Sequence, residues 1–208
     1  MKISKKMLEE TAAATRLFWE KGLSTGRDSG DLSIMDPDTG LVYIDPRPNE
    51  TFAIPNWGVI KAEDIIVMDL EGNVVHANNG KEPTVEAPMH LYIYRKRPNI
   101  QAIIHPHGIY SSAFAAARRD IPMVVYEFNF AGGDVPCAKY AKAGTEELAA
   151  NIIEVLGENR KAALMANHGS VALGTDITDA FNVAEYLEKM AQVALYASML
   201  GNLQGVDI

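Results

Sequence analysis

The chain has 208 residues, 48% hydrophobic and 22% charged, with a formal net charge of −8. That length buries a substantial core in one domain spanning residues 1–208, and the acidic balance excludes the clustered Lys and Arg that a nucleic-acid partner demands. The lone Cys137 rules out a disulfide framework, no apolar run approaches the roughly 18 residues of a membrane span, and Met1–Leu8 lacks the apolar stretch of a signal peptide, so a soluble cytoplasmic protein is expected.

Ser4–Lys21 places Met7, Leu8, Thr11, Ala14, Leu17 and Phe18 close to a helical period, and Gly22 supplies a stop. A polar loop, Ser24–Ser33, carries Gly26 and Gly30 and leads into short strands at Leu32–Met35 and Leu41–Ile44. Pro46, Pro48 and Pro55 keep the following stretch irregular. Ile65–Met68 reads as a buried strand and Asp69–Asn73 as a hairpin turn out of it. Glu82–Arg95 turns helical after Thr84, with Val85, Met89, Tyr92 and Ile93 as its apolar positions. Ile100–Ile104 is a strand that ends in His105-Pro106-His107-Gly108, and a helix over Ser111–Arg118 follows it. Ile121–Tyr126 reads as a further strand, Thr145–Leu156 as an amphipathic helix, and Ala162–Met165 and Val171–Leu173 as strands around Asn167-His168-Gly169. A long helix, Asp176–Leu200, closes the series, and the alternation predicts an α/β fold with a sheet covered by helices.

Five His residues are present: His76, His90, His105, His107 and His168. In an extended segment residues i and i+2 point the same way, so His105 and His107 can reach one ion. His168 also follows a predicted strand, and three neutral imidazoles suit zinc with a coordination position left open, as catalysis requires. A His-x-His pair by itself has an ordinary alternative in solvated or core His. Glu86 is the natural fourth group, or else a helix-start carboxylate that complements the macrodipole. His90, one turn further on, reads as a residue behind the ligands or in the core more readily than as a ligand.

The set Glu86, His105, His107 and His168 resembles the class II aldolase/adducin family, which includes sugar-phosphate aldolases and a 4-epimerase. The stretches Glu82–Glu86, Asn99–Gly108 (NIQAIIHPHG), Ile121–Gly133 (IPMVVYEFNFAGG), Pro136–Thr145 (PCAKYAKAGT) and Ala163–Gly169 (ALMANHG) carry the same resemblance, which covers nearly the whole chain. It implies a mostly antiparallel central sheet with helices on both sides, and a homotetramer with its active site between subunits. By the same resemblance His105, His107 and His168 are zinc ligands, with Mn²⁺, Co²⁺ or Fe²⁺ as substitutes. Glu86 would contact the ion in the empty site and act as acid/base on a small carbonyl substrate, beside an ion that stabilises an enediolate. Tyr126 falls where family aldolases carry a tyrosine, from the neighbouring subunit, that serves the aldehyde oxygen. Its alternative is an aromatic packed in the core.

The sequence departs from the family at the phosphate end. Gly30-Asp31 stands for the family's Gly-Asn, Thr84-Val85 for its Ser-Ser pair, and the Pro-rich Asp45–Trp57 for its Thr/Ser-Gly turn. Asp31 puts a carboxylate where a phosphate dianion would sit, and Val85 removes a hydroxyl donor. Arg27 and Arg47 lie in the altered loops, as substrate-binding cations or as solvated surface residues. Trp57 is a substrate wall or a core residue, and Gly201–Ile208 contains no aromatic residue to serve as a lid. An aldolase acting on a ketose or ketose phosphate is the leading expectation. A decarboxylase of hydroxylated aromatic or keto acids, a sugar-phosphate 4-epimerase, and a non-catalytic adducin-head-like interaction domain are the alternatives.

Overall fold

The computed structural model describes residues 2–26, 29–48, 57–78 and 80–206. Arg27 lies outside the described residues, as does most of the Asp45–Trp57 stretch. Helix α1 (Lys5–Glu20) starts where the Ser4 hydroxyl accepts from the Met7 amide, satisfying one of the amides a helix start leaves open. Thr145 and Asp176 cap α4 (Glu146–Leu156) and α5 (Ile177–Leu200) in the same way. Helix α2 (Ala87–Lys96) carries a Pro in its first turn, where no intrahelical donor is lost. Helix α3 (Ile109–Ala117) follows Gly108, which offers no capping side chain.

Eight strands form one sheet: β1 (Asp31–Met35), β2 (Val42–Ile44), β3 (Ile66–Met68), β4 (Val74–His76), β5 (Ala102–His105), β6 (Cys137–Ala138), β7 (Ala162–Met165) and β8 (Gly169–Gly174). Their order is β4-β3-β2-β1-β5-β8-β7-β6, antiparallel throughout except for the β6–β7 pair. Side chains alternate along each strand, so the sheet has two apolar faces. Leu32, Ile34, Ile104 and Leu164 pack with α1, α3 and α5, through Phe18, Ala115, Val183 and Leu187. Val42, Ile44, Ile103, Met165 and Leu173 pack with α2 and α4, through Met89, Ile93, Leu148 and Ile152. The expected α/β sheet with helices on both sides is therefore present. No helix among the described residues is long and apolar enough to cross a membrane.

One predicted element is absent. Ile121–Tyr126 is not a strand: Ile121 makes an isolated bridge to Val135, and Tyr126 opens a 3₁₀ turn, Tyr126–Ala131. Pro122 has no amide to donate, and the Met123 amide is taken by the Asp134 carboxylate, so no ladder forms. The expected hairpin turn at Asp69–Asn73 leads into β4, whose bounds were not foreseen, and β6 was not foreseen at all. Strand β4 is an exposed edge and β6 has two residues, too short to leave a pattern.

Candidate metal centre

Three adjacent strands in the middle of the sheet bring the site together. β5 ends at His105, whose Cα pairs across the ladder with Asp31 at the start of β1. β8 begins at Gly169, directly after His168, and the Ser170 amide donates to the Pro106 carbonyl. That bond holds the chain after β5 against the turn before β8. Gly30 has φ +75, and a Cβ there would overlap the His105 carbonyl oxygen, so only glycine lets the β1 entry pass this close.

His105, His107 and His168 each offer a ring nitrogen, and the three lie within 4.8 Å of one another. The ring centroids are 4.7, 4.9 and 5.1 Å apart, and the rings stand edge to face. The Nε2 atoms of His105 and His107 are 3.0 Å apart, so both nitrogens converge on one point. His105 Nδ1 is 2.8 Å from the Ser170 carbonyl, which can only accept. The proton therefore sits on Nδ1, and in the neutral ring Nε2 keeps its lone pair. Burial lowers His105 to about 4, with the Asp31 charge opposing it and His168 adding to it. His107 falls to about 4, through burial and then the neighbouring His105, and His168 is lowered by burial first. All three are neutral at pH 7, the form that ligates a cation.

Glu86 immediately precedes α2, in the backbone position of its N-cap, yet its side chain makes no capping bond. It is 3% exposed, and neither carboxylate oxygen has a hydrogen-bond partner among the described residues. Burial and then the Asp31 charge raise it to about 7, while the charge of His90 and the Gly144 amide pull the other way. The simple account of Glu86 as a helix cap thus fails. Three neutral imidazoles form a donor set that fits a divalent cation, and the Glu86 carboxylate lies outside that group of ligand atoms.

Asp31 is buried and accepts from His90 Nε2 at 2.9 Å and from the Thr84 hydroxyl. Burial raises its carboxyl, but the His90 bond and charge outweigh burial and hold it at about 2. Thr84 Oγ1 in turn accepts from the Glu86 amide at 3.2 Å, so Asp31, Thr84 and Glu86 form one connected corner. His90 is thus the partner of Asp31, and its Nδ1 lies 2.7 Å from Ser33 Oγ. The sequence holds no periodic signal for a pair 59 residues apart. Val85 is half-exposed next to this corner. Arg47 is exposed and lies 3.5 Å from the Glu82 carboxylate. Tyr126 is 65% exposed, outside the core, with no hydrogen bond or ring contact from its side chain among the described residues. Trp57 is buried at the start of a 3₁₀ turn. His76 ends the edge strand β4, away from the cluster.

Comparison with known proteins shows the family. Residues 9–195 match the model of the class II aldolase and adducin N-terminal domain. A 5-deoxy-D-ribulose 1-phosphate aldolase of Bacillus thuringiensis is 36% identical over 93% of this chain and 86% of its own. An L-fuculose phosphate aldolase of Escherichia coli is 31% identical over 93% of this chain and 83% of its own. A solved L-fuculose 1-phosphate aldolase superposes with a TM-score of 0.89 at 34% identity, covering 99% of this chain and 92% of that one. With the matched region enclosing Glu86 and all three clustered His residues, the chain belongs to the class II aldolase and adducin N-terminal domain family.

Proposed function

We propose that this protein is a zinc-dependent aldolase that cleaves a ketose 1-phosphate into dihydroxyacetone phosphate and an aldehyde. The three neutral imidazoles converging on one point carry the reading, and Glu86 supports it as a buried carboxylate with no hydrogen-bond partner among the described residues. A divalent ion held by His105, His107 and His168 supplies Lewis acidity to the ketone oxygen as negative charge develops there. Glu86 handles the proton at C3. In the addition direction it removes that proton, and in cleavage it returns it once the C3–C4 bond has broken. An affinity near neutral serves both directions, because the same group must accept and release at working pH. Tyr126 gives its phenolic proton to the aldehyde oxygen as the new bond forms and takes it back on cleavage. An exposed ring with no partner among the described residues suits service to a neighbouring site, so we assign the active assembly as a homotetramer with sites between subunits. The lone Cys137 supports a reducing, cytoplasmic setting.

The phosphate end is bound by other means than the family's Gly-Asn and Ser-Ser donors, since Asp31 and Val85 stand there. Asp31 favours a second reading, in which the donor is an unphosphorylated ketone. Both are separated by assaying zinc-loaded protein on 5-deoxyribulose 1-phosphate, fuculose 1-phosphate and their unphosphorylated ketoses. Dihydroxyacetone phosphate released by the wild type, and neither zinc nor release with His107→Ala, is the expected result. Light scattering on the same sample is expected to give four chains per particle. Full turnover by metal-free His107→Ala would sink the assignment.

A further inference from the structure

Helix α3 begins two residues after His107, and its first turn has no cap of its own, because Gly108 has no side chain. The cap comes from α5. Glu188 accepts from the Tyr110 amide at 2.6 Å (Oε1) and from the Ser111 amide at 3.0 Å (Oε2). A carboxylate that receives two backbone N–H groups at a helix start gains from hydrogen bonding and from the helix dipole together. Gly108 lies against the same carboxylate, and a Cβ there would overlap it. Gln192 and Tyr196, four and eight residues further along, lie on the same face of α5. Gln192 Nε2 donates to the Tyr110 hydroxyl at 2.9 Å, and the Tyr196 hydroxyl lies 3.1 Å from it. One stripe of α5 therefore grips Tyr110 by both backbone and side chain, three residues beyond His107.

We propose that Glu188 is a positioning residue for the metal centre, clamping the first turn of α3 so that His107 is held in register with His105 and His168. The inference rests on the reading of the His cluster as a metal centre. The upstream end of the His105-x-His107 segment is already fixed by the β5 ladder, while His107 lies beyond it. Around His107, the Ser170 amide donates to the Pro106 carbonyl on one side and the His107 amide donates to the Leu23 carbonyl at 2.9 Å, while downstream the Ser112 amide donates to the Gly108 carbonyl and Glu188 caps the helix start. Gln at position 188 keeps the size but turns an acceptor-only group into one that presents an N–H to an N–H. The clamp opens on one side, and His107 acquires freedom that binding must then remove.

The test uses the full chain, stripped of metal and titrated with Co²⁺ in competition with a chelator well below the melting temperature of every variant. Glu188→Gln is expected to bind Co²⁺ about 10–100-fold more weakly than the wild type, with an altered visible absorption band. Glu188→Asp keeps the charge one methylene short and is expected to lose less affinity in the same spectral direction. Glu185→Gln removes a carboxylate of the same helix that pairs with Lys21 at 2.7 Å, and is expected to leave both readouts at wild type. A role confined to stability lowers the melting temperature and leaves affinity and spectrum unchanged. Wild-type affinity and spectrum in Glu188→Gln and Glu188→Asp therefore overturn this inference alone. A wild type that binds no Co²⁺ overturns the metal centre itself.

Discussion

Asp31 and Glu86 are neighbouring buried carboxylates whose surroundings push their proton affinities apart. Asp31 receives two donors and stays ionised, whereas burial outweighs the weaker pull of the Gly144 amide on Glu86 and moves it toward neutral pH. Such a division assigns a fixed charge to one group and proton traffic to the other. The fixed charge works against an anionic ligand in the same corner. Replacement by Asn removes that repulsion, so Asp31→Asn is expected to lower KM for a ketose phosphate relative to its unphosphorylated ketose, on the order of tenfold. Steady-state KM values for the two substrates check it, and an unchanged ratio would show that the phosphate lies away from Asp31. At this scale the cluster of His105, His107 and His168 was legible, because the spacing of His105 and His107 puts them within reach of one ion and the chain has few other His. The Asp31–His90 pair was not, since a strand and a helix far apart in sequence make it.

Among the elements, the entry of β2 into the sheet depends on Asp45, a fully buried carboxyl just past its end. Asp45 Oδ2 accepts from the Leu32 amide at 2.9 Å, and Oδ1 lies 2.6 Å from the Thr15 hydroxyl. Thr15 has one hydroxyl proton and also lies 3.0 Å from the Thr11 carbonyl. With that proton given to Thr11, a neutral Asp45 donates its own to Thr15. Burial, reinforced by the Asp31 charge, raises Asp45 to about 8 against the pull of Thr15 and Leu32. The folded state thus holds a proton that the unfolded state releases near pH 4, and stability falls as pH rises from there towards 8. Asp45→Asn keeps a neutral group of the same shape. Urea denaturation is expected to show this variant gaining on the wild type by about 1–3 kcal/mol between pH 5.5 and 8. A difference that does not move with pH would show Asp45 to be ionised. The helices were legible through their apolar stripes and, for α1, the Gly22 stop, whereas Ile121–Tyr126 misled because apolar, β-favouring residues there meet Pro122 and a side chain that takes the Met123 amide.

Across the whole molecule, the antiparallel order β1-β5-β8 is what makes a site out of residues 31, 105, 107 and 168. Strand order arises from pairings between distant segments, which no local period records, so the sequence left it unread, and the resemblance to a family implied only a mostly antiparallel sheet. The two-sided covering follows more directly, since strands apolar at successive positions need helices on both faces. The donor set gathers at one end of the central strands, where Asp31 and His105 are buried and His107 and His168 are half-buried. The central claim is that Glu86 moves a proton at carbon next to a carbonyl, with the ion held by the three His residues. Zinc-loaded protein in D₂O with dihydroxyacetone phosphate, followed by NMR, tests it most directly. Exchange of the C3 proton by the wild type, lost with Glu86→Gln while zinc is retained, is the predicted result. Exchange at the wild-type rate with Glu86→Gln, or none with the zinc-loaded wild type on dihydroxyacetone phosphate and on unphosphorylated dihydroxyacetone, would contradict it.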